Sequence, residues 1–209
     1  PEYEYSNSIT LEPSADGHDV YVTGSYQSTV DFDPGVGVTP LSSVAGNDDV
    51  FVLKLDEDGS FLWARSMGGT ESETGNSISV HMGKVFLTGY FNDTSPNDAD
   101  FDPNGGTAYL VSNGEQDIFI CSLTKDGDFD WAKQIGGLGH DYGNSITADA
   151  SGNVYTTGSF YYPDPVDFDP GPGIFELTAT GNPEDIFILK LDPAGDFVWA
   201  KSMESLGGD

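Results

Sequence analysis

Asp185-Ile-Phe-Ile-Leu-Lys-Leu-Asp-Pro-Ala-Gly-Asp-Phe-Val-Trp-Ala200 is one of three versions of a single stretch in this chain. The others are Asp49-Val-Phe-Val-Leu-Lys-Leu-Asp-Glu-Asp-Gly-Ser-Phe-Leu-Trp-Ala64 and Asp117-Ile-Phe-Ile-Cys-Ser-Leu-Thr-Lys-Asp-Gly-Asp-Phe-Asp-Trp-Ala132. Trp63, Trp131 and Trp199 stand 68 residues apart each time. Each version reads as a hairpin: an apolar strand, a turn punctuated by Gly59, Gly127 or Gly195, and a second strand that opens on Phe and carries the Trp. A fixed period of this kind makes the chain an array of one supersecondary unit.

Successive side chains of a strand point to opposite faces. Phe51, Leu53 and Leu55 therefore share one face and Val50 and Val52 the other. Phe119, Cys121 and Leu123 against Ile118 and Ile120 repeat the pattern, as do Phe187, Leu189 and Leu191 against Ile186 and Ile188. A sheet with one wet face would alternate apolar and polar residues, so these sheets require a partner on both sides.

Working outward, Asn7-Ser-Ile-Thr-Leu11, Asn76-Ser-Ile-Ser-Val80 and Asn144-Ser-Ile-Thr-Ala148 are short first strands. Val20-Tyr-Val-Thr-Gly24, Val85-Phe-Leu-Thr-Gly89 and Val154-Tyr-Thr-Thr-Gly158 are second strands, and the hairpin supplies the third and fourth. No helical periodicity is present. Between strands two and three lies an insertion, longer than an ordinary hairpin loop, that carries Asp31-Phe-Asp-Pro-Gly35, Asp100-Phe-Asp-Pro-Asn104 or Asp167-Phe-Asp-Pro-Gly171. The apolar residues after it (Thr39-Pro-Leu41, Tyr109-Leu-Val111, Phe175-Glu-Leu177) suggest an extra edge strand. Gly68-Gly69 and Gly136-Gly137 join the units, which gives blades at 1–69, 70–137 and 138–209. In the third unit the Gly-Gly joint is displaced at Glu204. The fold expected is all-β: three four-stranded antiparallel β-propeller blades within a larger ring or assembly.

These motifs, in fixed order over essentially the whole chain, resemble bacterial β-propeller repeats of the SBBP type, with an NHL-like blade order. The resemblance implies a propeller that is secreted or attached to the cell surface. It implies no particular reaction.

Composition narrows the partners. Lys and Arg number 7 against 35 Asp and Glu, a net charge of −28. That argues against nucleic acid and anionic membrane surfaces, which attract basic patches. Twenty-seven glycines, twelve prolines, thirteen Phe and ten Tyr suit short strands joined by tight turns. The single cysteine, Cys121, takes the place of Leu53 and Leu189 and reads as a core filler. No apolar run approaches the ~20 residues of a membrane span.

Six aspartates are the metal candidates: Asp31, Asp33, Asp100, Asp102, Asp167 and Asp169. Carboxylates at i and i+2 on an extended segment point the same way, and Ca2+ takes six to eight such oxygens. The competing reading is an Asx turn that caps its own amides. Asp56-Glu-Asp-Gly59 has the look of a calcium loop but reads better as a hairpin turn. Asp49, Asp117 and Asp185 precede the buried strand and should accept hydrogen bonds from loop amides. Glu4, Glu73 and Asp141 recur three residues before the first-strand Asn, as cation-site lining or as solvated loop acids. Catalytic residues are not assigned: His18, His81 and His140 occupy unmatched positions, and the carboxylate pairs come in triplicate. The function expected is a calcium-stabilised, extracellular, non-catalytic structural or binding module. Its expected partners are further blades of the same chain, further copies, or protein or glycan at the cell surface. The alternative is an enzyme or binding module for polysaccharide.

Overall fold

The computed structural model describes residues 3–15, 17–161, 164–180 and 184–203. The displaced third joint lies outside them. The first unit runs β1 (Glu4–Ser14), β2 (Gly17–Tyr26), β3 (Thr29–Asp31), β4 (Pro40–Ser42), β5 (Asp49–Leu55) and β6 (Phe61–Met67). The second runs β7 (Thr74–His81), β8 (Lys84–Phe91), β9 (Ala99–Asp100), β10 (Tyr109–Leu110), β11 (Asp117–Thr124) and β12 (Phe129–Ile135). The third runs β13 (Tyr142–Ala148), β14 (Val154–Tyr161), β15 (Val166–Asp167), β16 (Glu176–Leu177), β17 (Glu184–Leu191) and β18 (Phe197–Met203).

Four long strands of each unit form one antiparallel sheet: β1-β2-β5-β6, β7-β8-β11-β12 and β13-β14-β17-β18. These are four-stranded blades of the β-propeller kind. The expected edge strand takes another course. In each insertion the apolar residues after the Asp-Phe-Asp-Pro turn pair back onto the residues before it, as separate two-stranded ribbons β3-β4, β9-β10 and β15-β16. The turn reverses the chain at once, so the nearest open strand edge is the insertion's own. In the second unit Asp100 also exchanges two backbone hydrogen bonds with Gly68, at 3.1 and 3.0 Å, which ties the ribbon to the exit of blade one.

The first strand of each blade carries a β-bulge between Ser6 and Ser8, Gly75 and Ser77, or Gly143 and Ser145. The extra residue is Asn7, Asn76 or Asn144, and a bulge re-aims a side chain. Opposite the bulge stand Gly24, Gly89 and Gly158, where an added Cβ would lie 1.8 Å from the carbonyl oxygen of Tyr5, Thr74 or Tyr142. Only glycine fits there.

Blades stack through their first strands: β7 packs on β1 and β2, and β13 on β7 and β8. The same bonds recur at both junctions. Asn7 Nδ2 donates to Gly75 O at 3.0 Å and Asn76 Nδ2 to Gly143 O at 2.9 Å. Ile78 N donates to Ser8 Oγ at 3.3 Å and Ile146 N to Ser77 Oγ at 3.2 Å. Glu73 N donates to Asp48 O and Asp141 N to Gln116 O, both at 2.7 Å. Between the bonds lie apolar layers. Val50 and Val52 of blade one meet Ile78, Leu87 and Cys121 of blade two, and Ile118 and Ile120 meet Ile146, Phe187 and Leu189 of blade three.

The tryptophans lie on the outermost strands, and Trp63 and Trp131 clasp the next blade. Trp63 Nε1 donates to Lys125 O and Trp131 Nε1 to Pro193 O, each at 3.2 Å. Arg65 stacks over Trp63 with 5.2 Å between guanidinium carbon and ring centre, and donates to Asp126 O and Gly127 O at 3.0 Å. Trp199 makes no such clasp among the described residues. We therefore predict that Trp63→Ala and Trp131→Ala each cost about 2–4 kcal/mol, combining lost packing and a lost hydrogen bond. Trp199→Ala should cost clearly less. Denaturant melts of the three variants check this; equal losses would show that the clasp contributes nothing.

Candidate functional site at the acidic turns and blade joints

The Asp-Phe-Asp-Pro segment is first a plug. Phe32, Phe101 and Phe168 are buried, and each lies between two aromatic rings of its own blade. Ring centres are 5.1 and 4.9 Å apart in Tyr26–Phe32–Phe51, 5.7 and 4.8 Å in Phe91–Phe101–Phe119, and 5.3 and 5.0 Å in Phe160–Phe168–Phe187. Anchoring Phe fixes where the flanking carboxylates stand.

Those carboxylates cap the turn identically in all three blades. Asp31 Oδ1 accepts Asp33 N at 3.1 Å and Thr39 N at 2.8 Å. Asp100 Oδ1 accepts Asp102 N at 3.0 Å and Ala108 N at 2.8 Å. Asp167 Oδ1 accepts Asp169 N at 3.0 Å and Phe175 N at 2.8 Å. The second aspartate of each pair takes the amide two residues on: Asp33 takes Gly35 N at 2.7 Å, Asp102 Asn104 N at 2.9 Å and Asp169 Gly171 N at 2.8 Å. Its other oxygen lies 2.0–2.1 Å from where a Cβ would stand on Gly37, Gly106 or Gly173. The motif is thus one glycine longer than it first reads. Among the described residues, no cluster of three or more metal-ligating acid, His or Cys side chains is assembled.

The hairpin turns are built the same way. Asp56 Oδ1 accepts Asp58 N at 3.0 Å and Ser60 N at 2.7 Å, and Asp192 Oδ1 accepts Ala194 N at 2.9 Å and Asp196 N at 3.0 Å. Asp56-Glu-Asp-Gly59 is such a turn. Trp clasps bring the second and third hairpin turns against the outer strand of the preceding blade, and Glu57, Asp58, Asp126, Asp128 and Asp196 are exposed on the three turns.

A second set of acids is buried at the joints. Asp49 accepts Val44 N at 3.2 Å, Asp117 accepts Asn113 N at 2.9 Å and Asp185 accepts Thr180 N at 2.7 Å, so each ties the end of its insertion to the start of strand three. Glu73 and Asp141 are fully buried and are not solvated loop acids; Glu4 is exposed. Glu73 Oε2 accepts Gly69 N at 2.9 Å and Asp141 Oδ2 accepts Gly137 N at 2.6 Å, closing the Gly-Gly joints. A Cβ on Gly68 would lie 2.3 Å from Glu73 Oε2 and 2.8 Å from the Asp49 carboxyl carbon, which is why the joint is glycine.

Asp93, in the insertion of blade two, carries no repeat signal, because the other units offer no counterpart. It is fully buried and faces Glu73. Burial, then the nearness and charge of Asp93, push the Glu73 carboxyl up to about 11, so Glu73 keeps its proton. Burial likewise pushes Asp49 and Asp117 up to about 7, against the loop amides and side-chain donors that pull them down.

The comparisons with known proteins agree with this architecture. The SBBP β-propeller repeat family matches residues 130–159, from the end of blade two into β14. The chain has the four-stranded antiparallel blades of a β-propeller. It is 27% identical over 97% of its length to an uncharacterized WD repeat-containing protein, L264, of Acanthamoeba polyphaga mimivirus, covering 14% of that protein. It is 28% identical over 86% of its length to the regulatory protein FlaEY of Caulobacter vibrioides, covering 19% of that one. The chain thus spans less than a fifth of either relative.

Raised carboxyl pKa values set the sign of a pH dependence. The folded chain holds protons on Asp49, Asp117 and Glu73 that the unfolded chain, with carboxyls near 3.8 and 4.5, has released. Their contribution is fully present below the unfolded values and is lost as pH rises through about 7 for the two aspartates. We predict that the melting temperature falls by several degrees between about pH 5 and 8, and that Asp49→Asn with Asp117→Asn flattens the fall. Calorimetry across that range is the check, and a melting temperature that climbs with pH contradicts it.

Proposed function

We propose that this chain is a non-catalytic β-propeller module that binds a basic protein partner along its acidic hairpin turns. The observation that carries the reading is how the carboxylates divide. The insertion aspartates and the buried joint acids accept the chain's own amides, whereas Glu57, Asp58, Asp126, Asp128 and Asp196 project from the turns without a structural bond through their side chains, apart from Asp128 to Asn104 and a long contact from Asp196 to Lys133. A net charge of −28 supports electrostatic steering of a positively charged partner. Relatives named for WD repeats and for regulation support protein binding as the general task.

Calcium and a secreted or cell-surface setting belong to the same proposal. What supports calcium is that the turn amides use Oδ1 of Asp31, Asp100 and Asp167, which leaves Oδ2 of each to an ion. At the weak affinity typical of extracellular modules, about 10⁻⁴–10⁻³ M, calcium in the millimolar range should raise the melting temperature. The triple Asp31→Asn, Asp100→Asn, Asp167→Asn variant should lose that rise. Melts that coincide in EDTA and in calcium would reduce the motif to turn capping.

For the partner, immobilised protein should retain Lys/Arg-rich peptides over Asp/Glu-rich peptides of equal length, with retention falling steeply between low and physiological salt. Reversing Glu57, Asp58, Asp126, Asp128 and Asp196 to Lys should cut that binding at least tenfold. Indifference to the reversal rules out the acidic turns as the binding edge.

A further inference from the structure

The two internal junctions share their backbone bonds and apolar layers, but their side chains part company at the strand ends that meet the joints. Around the first joint stand Ser25, Asp48, Ser72, Thr74 and Asn92. Strand register and the matching joint bonds place Tyr90, Gln116, His140, Tyr142 and Tyr161 at the same five positions around the second. Within the joint itself, Thr70 and Glu71 are answered by Leu138 and Gly139. The first junction closes without an aromatic ring at any of these places, so the fold does not account for the rings at the second.

Those rings form one cluster across the boundary between blades two and three. Tyr90 meets Tyr142 edge to face, with ring centres 5.1 Å apart. His140 lies parallel to Tyr142 at 6.2 Å, and Tyr161 stands edge-on to His140 at 5.6 Å. Gly139 makes room for them, since a Cβ there would lie 2.9 Å from the Tyr161 Cβ. Gln116 Oε1 accepts the Tyr142 hydroxyl at 3.2 Å and also His140 Nδ1, so the neutral imidazole leaves Nε2 as an acceptor. Burial, then the nearby phenols of Tyr161 and Tyr90, raise the Tyr142 hydroxyl pKa above its ordinary value, as expected where three phenols converge. The four rings are only half-buried, and Leu138, two residues before His140, is 63% exposed. Among the described residues, the hydroxyls of Tyr90 and Tyr161 and Nε2 of Gln116 make no hydrogen bond within the protein.

The negative face of an aromatic ring attracts either a cation or the polarised C–H bonds of a sugar. Charge decides between them. A cation site would keep its carboxylates, yet here Asp48 is replaced by Gln116 and Glu71 by Gly139. Asp141 beneath the rings is buried and spent on the Gly137 and Tyr161 amides, and Glu115 and Glu184 are exposed at the rim. The groups left unpaired beside the rings are phenol, amide and imidazole, all neutral, which suits hydroxyls. We propose that the aromatic cluster at the second joint, centred on Tyr142, binds a neutral sugar ring of a glycan. The rings meet the apolar face of the sugar, while Tyr90, Gln116 and Tyr161 bond its hydroxyls. The site lies between two complete blades, at the opposite end of the strands from the acidic hairpin turns, and goes beyond the protein binding read there.

The test gives the second joint the residues of the first: Tyr90→Ser, His140→Ser and Tyr142→Thr in one protein. Isothermal titration with neutral hexasaccharides of glucose, mannose, galactose and N-acetylglucosamine, each at millimolar concentration, should detect binding of at least one to the wild type. The triple variant should bind that sugar at least tenfold more weakly, with a melting curve that shows it folded. Should the triple variant unfold, Tyr161→Phe decides instead, since it removes one hydroxyl and should weaken the sugar several-fold. Reversing the five turn acids to Lys should leave sugar binding unchanged, which separates this site from the acidic edge. No binding of any of the four sugars, or binding that these cluster variants keep, overturns the proposal. So does a lysine hexapeptide whose binding the triple variant abolishes, since the cluster would then be a cation site.

Discussion

The structure depends on how closely the backbone of one blade can approach the second strand of the blade before it. At Gly75 and Gly143 the approach leaves no room for a Cβ, and from that contact the rest of each junction follows. The bulge beside it turns an asparagine outward to the next carbonyl, the neighbouring serine accepts an amide, and the apolar strand residues close over both. Close packing rewards such an approach with dispersion contacts along its whole length, and a single side chain in the wrong place forfeits them.

The unusual acidity has a structural side. Carboxylates on short side chains are efficient acceptors for several backbone amides at once, and this chain uses them where others use secondary structure. Asp31, Asp100 and Asp167 each hold a turn across eight residues. Asp49 and Glu73 do so out of water, where ionisation is costly, and the cost appears as carboxyls that hold their protons. Long, regular insertions can thus be held to the blades with one buried phenylalanine each and a few smaller apolar residues such as Ala99, Val166 and Ala179.

Much of this was legible in the sequence, because it lies in alternation and repetition. Tryptophan spacing, two-faced apolar strands and the recurring turn glycines identify four-stranded blades with no three-dimensional information. What escaped notice depends on neighbours distant in sequence. In the sequence Asp-Phe-Asp-Pro reads as a ligand or as a turn cap, and the cap itself is visible only where the amides of Thr39, Ala108 and Phe175 converge on one oxygen of each pair. Asp93 has no counterpart in the other units, so repetition hid it rather than revealed it. The ribbon strands are too short for periodicity to separate them from blade edges. Gly37, Gly106 and Gly173 align in all three units, and only the carboxylate beside each explains them.

The junction bonds also bear on how such a chain is made. Those from Asn7, Ser8, Glu12 and Trp63 reach partners 62 to 71 residues further along. A blade emerging from the ribosome can pair its own strands, but its forward face stays wet until the whole of the next repeat has been synthesised. At about 5–20 residues per second, that is a wait of several seconds per blade with bare isoleucine and valine. Translation speed and chaperone supply therefore bear on each repeat in turn, and a pause placed just after a finished blade prolongs the interval in which that face can seize the wrong neighbour.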